Sequence, residues 1–340
     1  MTKYKEIKGT QIEVLESDPS NPVEGQVWYN STSNVLKGSV RTTAGAWATG
    51  GSLNTGRRRM SGAGVSNSSA LGFGGNSPSG DFANTESYNG TSWTEVSDLN
   101  TARGAAAGDG TQTSALDFGG TPNPAKAITE SWNGTNWTEV ADLNTGRSIL
   151  AGAGADNTSA LAFGGLGTPP GAPTYALTES WNGSSWTEVN DLNLGRADLM
   201  GFGIKTSAIA CGGEADGPSP PQQVTTESWN GTNWTEVNDI AFERSFGGSA
   251  GYTDNTSGLI FGGFDASPTD FRTNKTELWN GTNWSEQADL SGTKYSSQAG
   301  AGTASSAISF GGEGPSNEQR TATEEWTGAG APVTRTFTDS

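Results

Sequence analysis

A Gly-Gly pair closes a short apolar run six times along this chain: Gly74-Gly75, Gly119-Gly120, Gly164-Gly165, Gly212-Gly213, Gly262-Gly263 and Gly311-Gly312. A Glu-x-aromatic step follows each pair, led by Glu86, Glu130, Glu179, Glu227, Glu277 and Glu324. A second tryptophan then appears at Trp93, Trp137, Trp186, Trp234 and Trp284. Ten positions after each of these stands a basic residue: Arg103, Arg147, Arg196, Arg244 and Lys294. Trp47 and Arg57 keep the same spacing ahead of the first Gly-Gly. The period is 45 to 50 residues. Repeats in such register are supersecondary units that bury their apolar faces only by stacking on one another. This outweighs composition, because 32% hydrophobic residues and 50 Gly taken alone lean toward disorder. The 12 Trp and 12 Phe recur at regular intervals instead.

Each unit reads as four strands. Between Arg147 and Trp186, residues 148–154 are expected as strand a, where small side chains suit the crowded axis of a closed ring. Asp156-Asn157-Thr158 make a turn. Residues 159–163 are strand b, with Leu161 and Phe163 on one face. Gly164-Gly165 end it, a Pro-rich loop follows, strand c ends at Trp181, and strand d starts at Trp186. The turn Trp132-Asn-Gly-Thr-Asn-Trp137 is a hairpin sequence, and its Asn-Gly favours a type I′ turn. A two-residue loop sets Glu130 opposite Trp137, whereas a four-residue loop sets Trp132 opposite Trp137. Both registers put the two tryptophans on one face, as core between blades.

After Arg57, strands a to c occur six times but the Trp-bearing strand d only five times. The missing strand is at the other end: Trp47 to Arg57 matches Trp137 to Arg147. Residues near 46–53 are therefore expected to complete the last blade and leave no open sheet edge there, with the tail around Val333 as the competitor for that slot. Residues 1–40 lie outside the repeats and carry a small hairpin, Val27–Asn30 with Val35–Lys37. The expected division is 1–40 as a docking segment and 41–340 as the propeller.

The Gly-Gly pairs and the later tryptophans resemble kelch repeats over roughly residues 57–327, whereas the Trp-Asp pair of WD40 repeats is absent. The resemblance implies an all-β fold, a six-bladed kelch-type β-propeller. Two further stretches look familiar. Glu24-Gly-Gln-Val-Trp-Tyr-Asn-Ser-Thr-Ser-Asn-Val-Leu-Lys37 resembles a segment of structural proteins of tailed bacteriophages. Thr129 to Trp137 and Asp142 to Arg147 resemble kelch-type proteins of marine cyanobacterial phages. That likeness implies a virion structural protein of the tail-fibre or appendage type, docked on other virion proteins through residues 1–40. It would face a host-surface glycan or protein and occur in several copies. Capsid decoration, or a head fibre, is the alternative location.

Other classes fit less well. The chain has 19 Lys plus Arg against 36 Asp plus Glu, a net charge of −17, which repels phosphate backbones and anionic lipid. Neither nucleic acid nor membrane insertion is expected. The first residues show no signal-peptide pattern, so synthesis in a host cytoplasm is expected. The absence of His removes Ser-His-Asp and Cys-His catalysis and most catalytic zinc sites. It also removes the His copper ligands of galactose oxidase, a kelch-fold enzyme. The Ser131–Trp137 turn resembles the Asp box of sialidase propellers, which is structural there, and no Arg triad accompanies it. A polysaccharide-cleaving propeller needs two carboxylates unique to one site, whereas the obvious Glu residues recur in every unit. An intracellular kelch scaffold is a further alternative, without the BTB-type domain of many such adaptors. The expectation is no enzyme, no catalytic residue, no metal and no cofactor.

Repetition assigns Trp47, Trp93, Trp137, Trp186, Trp234, Trp284, Arg57, Arg103, Arg147, Arg196, Arg244 and the six Glu to the frame. Cys211 stands where other units have Phe and is expected in the core. The b–c loops, by contrast, differ in length and composition and emerge on one face, where repeat proteins often bind. Phe82, Tyr175, Phe264, Phe271 and Arg272 are the expected contact residues.

Overall fold

The computed structural model describes residues 12–19, 26–41, 44–122, 125–167, 173–216, 222–265, 272–292, 296–314, 316–329 and 332–337. Phe271 and Lys294 lie outside them. The chain forms two compact units, one of residues 46–327 and one of 1–45 together with 328–340.

Residues 46–327 build six four-stranded antiparallel sheets, with no helix among the described residues. Blade III shows the pattern: Ala151–Asp156 (a), Ser159–Phe163 (b), Thr178–Trp181 (c) and Trp186–Glu188 (d). Strands a of blades I, II, IV, V and VI are Ser61–Ser66, Ala107–Thr111, Met200–Ile204, Gly248–Ala250 and Ala299–Thr303. The strand expected over 148–154 begins only at Ala151, because Ile149 is held in the left-handed region with φ 50°.

The ring closes as expected. Ala46–Thr49 pairs with Thr323–Thr327 as strand d of blade VI, with Trp47 opposite Trp326. The tail does not compete. Pro332–Thr336 pairs antiparallel with Val35–Arg41, joining a sheet with Val27–Asn30 and Glu13–Leu15. The expected boundary is corrected accordingly: the propeller ends near Thr327, and 328–340 belong with the N-terminal segment. In that unit Asp18 accepts hydrogen bonds from Trp28 Nε1, Asn30 Nδ2 and Lys37 Nζ, which holds its carboxyl below the ordinary aspartate value.

In the c–d turns the four-residue loop wins over the two-residue one. Trp132 faces Trp137, and the same holds for Trp181 with Trp186, Trp229 with Trp234, and Trp279 with Trp284. The expected type I′ turn does not form: Gly134 is the turn residue at positive φ, 90°, and Asn133 is not. Asn133 instead uses Oδ1 to accept from the amides of Thr135 and Asn136, the side-chain mimic of a backbone turn.

The frame residues fall into two layers. In every blade but V, the second tryptophan packs on the strand-b Phe of the preceding blade. Phe163–Trp234 ring centroids are 5.0 Å apart, and Phe310–Trp93, across the closure, 4.8 Å. The indole N–H then donates to a threonine of that preceding blade, as Trp234 does to Thr178 Oγ1 at 3.0 Å. Nearer the axis, Arg57, Arg103, Arg147, Arg196 and Arg244 are fully buried and pair with Glu86, Glu130, Glu179, Glu227 and Glu277. Glu227 shows the complete arrangement: one oxygen meets Arg196 Nη2 at 2.8 Å, and the other accepts from the amide and side chain of Asn193 in the d–a linker. Arg196 Nη1 also donates to the carbonyl of Gly212. Burial pulls the pKa of Arg196 down and Glu227 opposes the shift. Glu324 has no arginine in this place and binds the amides of Ser291 and Gly292. The Gly-Gly pair is required here because Gly212 has φ 61° and a Cβ on it would lie 2.6 Å from the Arg244 carbonyl oxygen.

Candidate functional site

Two or three residues beyond each frame cation, one residue per blade sits at positive φ: Arg59, Ala105, Ile149, Asp198, Phe246 and Ser297, at φ 50° to 56°. Their backbones form a closed ring. Each amide donates to the carbonyl of the preceding member, from Arg59 to Ser297 O and so around to Ser297 to Phe246 O, at 2.7 to 3.0 Å. Any L residue here costs on the order of 1–2 kcal/mol relative to glycine, yet none of the six is glycine. The ring therefore presents six different side chains around the axis. Single β-bridges attach it to the b–c loops, as in Ala197 with Glu214 and Ser245 with Phe264, so this mouth and those loops share one face of the propeller.

The mouth holds a cavity of about 100 Å³ lined by Arg59, Ile149, Asp198, Phe246 and Ser297 among others. Its side chains are unequal around the ring. The Arg59 guanidinium lies 5.0 Å over the Phe246 ring. Phe246 meets Phe264 edge-on at 5.4 Å, and Arg272 stacks on Phe264 at 5.2 Å. Arg272 is held by Glu313 Oε1 at 3.0 Å, and Arg58 binds the other oxygen of Glu313. Glu214 accepts from Ser245 Oγ and Gln222 Nε2. Asp198 is buried, and that burial drives its carboxyl well above the ordinary aspartate value; Arg59 opposes the shift and Glu214 adds to it. Aromatic faces beside fixed polar and charged groups form a surface to which a polyhydroxylated ring can both stack and hydrogen-bond.

Of the expected contact residues, Phe264 and Arg272 come together here. Phe82 and Tyr175 lie in the loops of blades I and III, half-buried, their amides donating to the carbonyls of Gly75 and Gly165. Arg59, Asp198, Phe246, Glu214 and Glu313 were missed. The visible signal was the changing residue close behind an invariant cation, hidden because the stretch read as strand. Among the described residues no group of three His, Cys, Asp or Glu side chains is placed to hold a metal, and no helix is long and apolar enough to cross a membrane.

No family model matches the chain, and no curated protein matches it. A solved structure titled "Structure of YjhT" superposes with a TM-score of 0.67 at 12% identity, covering 84% of this chain and 99% of that one. At that identity the likeness concerns the fold alone. YjhT is a kelch-type propeller, and this chain shares that fold as a six-bladed β-propeller.

Proposed function

We propose that the chain is a non-enzymatic structural protein of a tailed-phage particle whose propeller binds a host-surface glycan at the axial mouth. The observation that carries this reading is the broken symmetry of that mouth. Five or six copies of the frame residues are nearly interchangeable, whereas Arg59, Asp198, Phe246, Phe264 and Arg272 each stand at a repeat position that no other blade fills with the same residue, and they gather on one face with Glu313. The particle role rests on the resemblance of residues 24–37 and of the repeats to phage proteins. The unit of residues 1–45 and 328–340 is the expected docking element, on a tail or on a capsid. Single-site glycan affinity is often near millimolar, about −4 kcal/mol, so many copies per particle would supply the avidity.

The test is binding of the purified chain to host envelopes, with Phe246→Ala and Phe264→Ala as variants. Both side chains lie outside the frame, so the variants should fold. A loss of binding of about tenfold or more is expected, and undiminished binding by both overturns the mouth as the site.

A second reading has its own observation. Asp198, found in one blade, and Glu214, repeated only as Glu313, are carboxylates at the mouth, and the first is biased toward its protonated form. That is the pairing a polysaccharide-cleaving propeller would need. Release of reducing or unsaturated ends from host polysaccharide, lost in Asp198→Asn, would replace the non-enzymatic reading with this one.

A further inference from the structure

Below the mouth, the six strands a enclose an axial channel of about 150 Å³. Each strand a is the last of its sheet, so its inner edge carries backbone groups with no partner strand. The walls are mostly glycine and alanine, because neighbouring strands touch backbone to backbone: a Cβ on Gly62 would lie 2.7 Å from Gly300 O, and one on Gly201 2.9 Å from Gly152 O. Against this wall two side chains stand out.

Asp109 occupies the third position of strand a in blade II, where blades I, III, V and VI have Ala63, Ala153, Ala250 and Ala301. Among the described residues it is the one carboxylate lining the channel, and no Lys or Arg lines it. Its Oδ2 is buried without a hydrogen-bond partner. The buried frame carboxylates are all satisfied by arginine or by amides; this one faces glycine, since its carboxylate packs on Gly152. Tyr252, from blade V, reaches across to donate its hydroxyl to Ala155 O at 2.9 Å, beside Gly154, on which Asp109 Cβ also packs. The phenol therefore lies among the residues that line the channel. Phe202, in the same strand position of blade IV, turns instead into the IV–V seam, its ring 6.2 Å from that of Trp284.

We infer that this channel is a binding site for an aliphatic ammonium, its charge set on Asp109 and its body enclosed by Tyr252 and the strand-edge carbonyls. One carboxylate, an aromatic face and carbonyl oxygens are the groups that recognise an alkylammonium. A hard divalent cation would ask for six or more oxygen ligands including several carboxylates, and the channel supplies one. The narrow bore and the volume suit a linear chain of a few carbons with a terminal amine. Without a cation the carboxylate is isolated, and burial alone drives its pKa well above the ordinary value. The channel adjoins the mouth, sharing Met60, Leu150, Leu199 and Gln298 with its lining, but the ammonium site does not rest on the glycan reading.

The probe is 1,4-diaminobutane, titrated calorimetrically into the full-length protein, with KCl and CaCl₂ at matched ionic strength as controls. Wild type is expected to bind the diamine and not the inorganic salts. Asp109→Ala, which copies the residue of four other blades and so preserves the fold, should weaken binding about tenfold or more. Asp109→Asn, of the same shape, should do likewise. Equal binding by both variants would overturn the site. Equal heats from potassium or calcium would show an inorganic cation instead, and no heat from any probe would show that the channel holds water only; each overturns the ammonium assignment.

Discussion

The seam between blades III and IV and the seam between blades IV and V are built from the same plan, and only the first completes it. At III–IV, Phe163 lies under Trp234 at 5.0 Å and the indole donates to Thr178. At IV–V the strand-b phenylalanine is Cys211. Phe202 approaches from strand a instead, its ring 6.2 Å from Trp284. Trp284 is half-buried, and neither its Nε1 nor Thr226 Oγ1 has a hydrogen-bond partner. Closure of the ring by a strand from the far end of the sequence costs nothing comparable, for Trp47 meets Phe261 at 4.9 Å and Thr276 at 2.9 Å. The strength of a junction in this propeller follows the residues that fill it, not whether the chain is continuous across it.

The largest effect expected from this comparison is at the buried ion pair that blades I to V repeat. Glu227→Ala strands the guanidinium of Arg196 in a dry interior, and removing one partner of such a pair typically costs about 3–5 kcal/mol. Denaturant unfolding should show this at Glu227 and a smaller loss at Glu324, whose described partners are amides and a hydroxyl. Equal losses would mean that the carboxylate serves the linker rather than the arginine.

Next in size are the tryptophans. Trp234→Ala should cost about 3–5 kcal/mol, the range for large aromatic truncations in a packed core. Trp284→Ala should cost less by at least the roughly 1 kcal/mol of a hydrogen bond that is not there to lose. Comparable midpoints for the two variants would erase the distinction between the seams. The converse variant, Cys211→Phe with Phe202→Ala, rebuilds the common plan and should raise stability by about 1 kcal/mol.

How far the sequence led can be judged at these positions. Trp47, Trp93, Trp137 and the other frame residues were legible because repetition multiplies a weak signal and because burial of aromatic area dominates the energetics. Cys211 in a phenylalanine slot was legible for the same reason. The compensating Phe202 was not, since a large side chain in the axial strand contradicts the crowding that defines it. The mouth was half legible. Phe264 and Arg272 announce themselves in a variable loop, but Arg59, Asp198 and Phe246 depend on a left-handed backbone that no local pattern of these residues signals. The tail strand was misassigned because 332–336 pairs with 35–41 across nearly the whole chain, a contact set by tertiary structure alone.

A smaller effect follows from pH. In the native state Asp109 holds its proton above the usual aspartate range, whereas the unfolded chain loses it near the ordinary aspartate value of 3.8. The native protein then binds more protons across that window, so stability is greatest below the unfolded value and falls as pH rises toward the raised one. Asp109→Asn cannot lose a proton and should flatten this part of the stability profile, an outcome read from denaturant midpoints between pH 4 and 8. A wild-type profile already flat there would mean that the channel keeps Asp109 ionised and paired.

The smallest expected effect is on Cys211 itself, and it reports on the seam directly. The thiol is fully buried, and burial pushes its pKa up to about 12 despite Arg196 and Arg244 nearby. A thiolate is the reactive form, so a maleimide reagent should label native protein only when the IV–V seam opens. The labelling rate is then a measure of local opening rather than of thiol chemistry. Trp284→Ala should speed it, because the indole is part of what covers the seam, while Trp234→Ala, at the neighbouring seam, should speed it only as far as it lowers global stability. If native wild type labels as fast as the unfolded chain, the seam is open in solution, and the weaker junction is a gap rather than an imperfect copy of its neighbours.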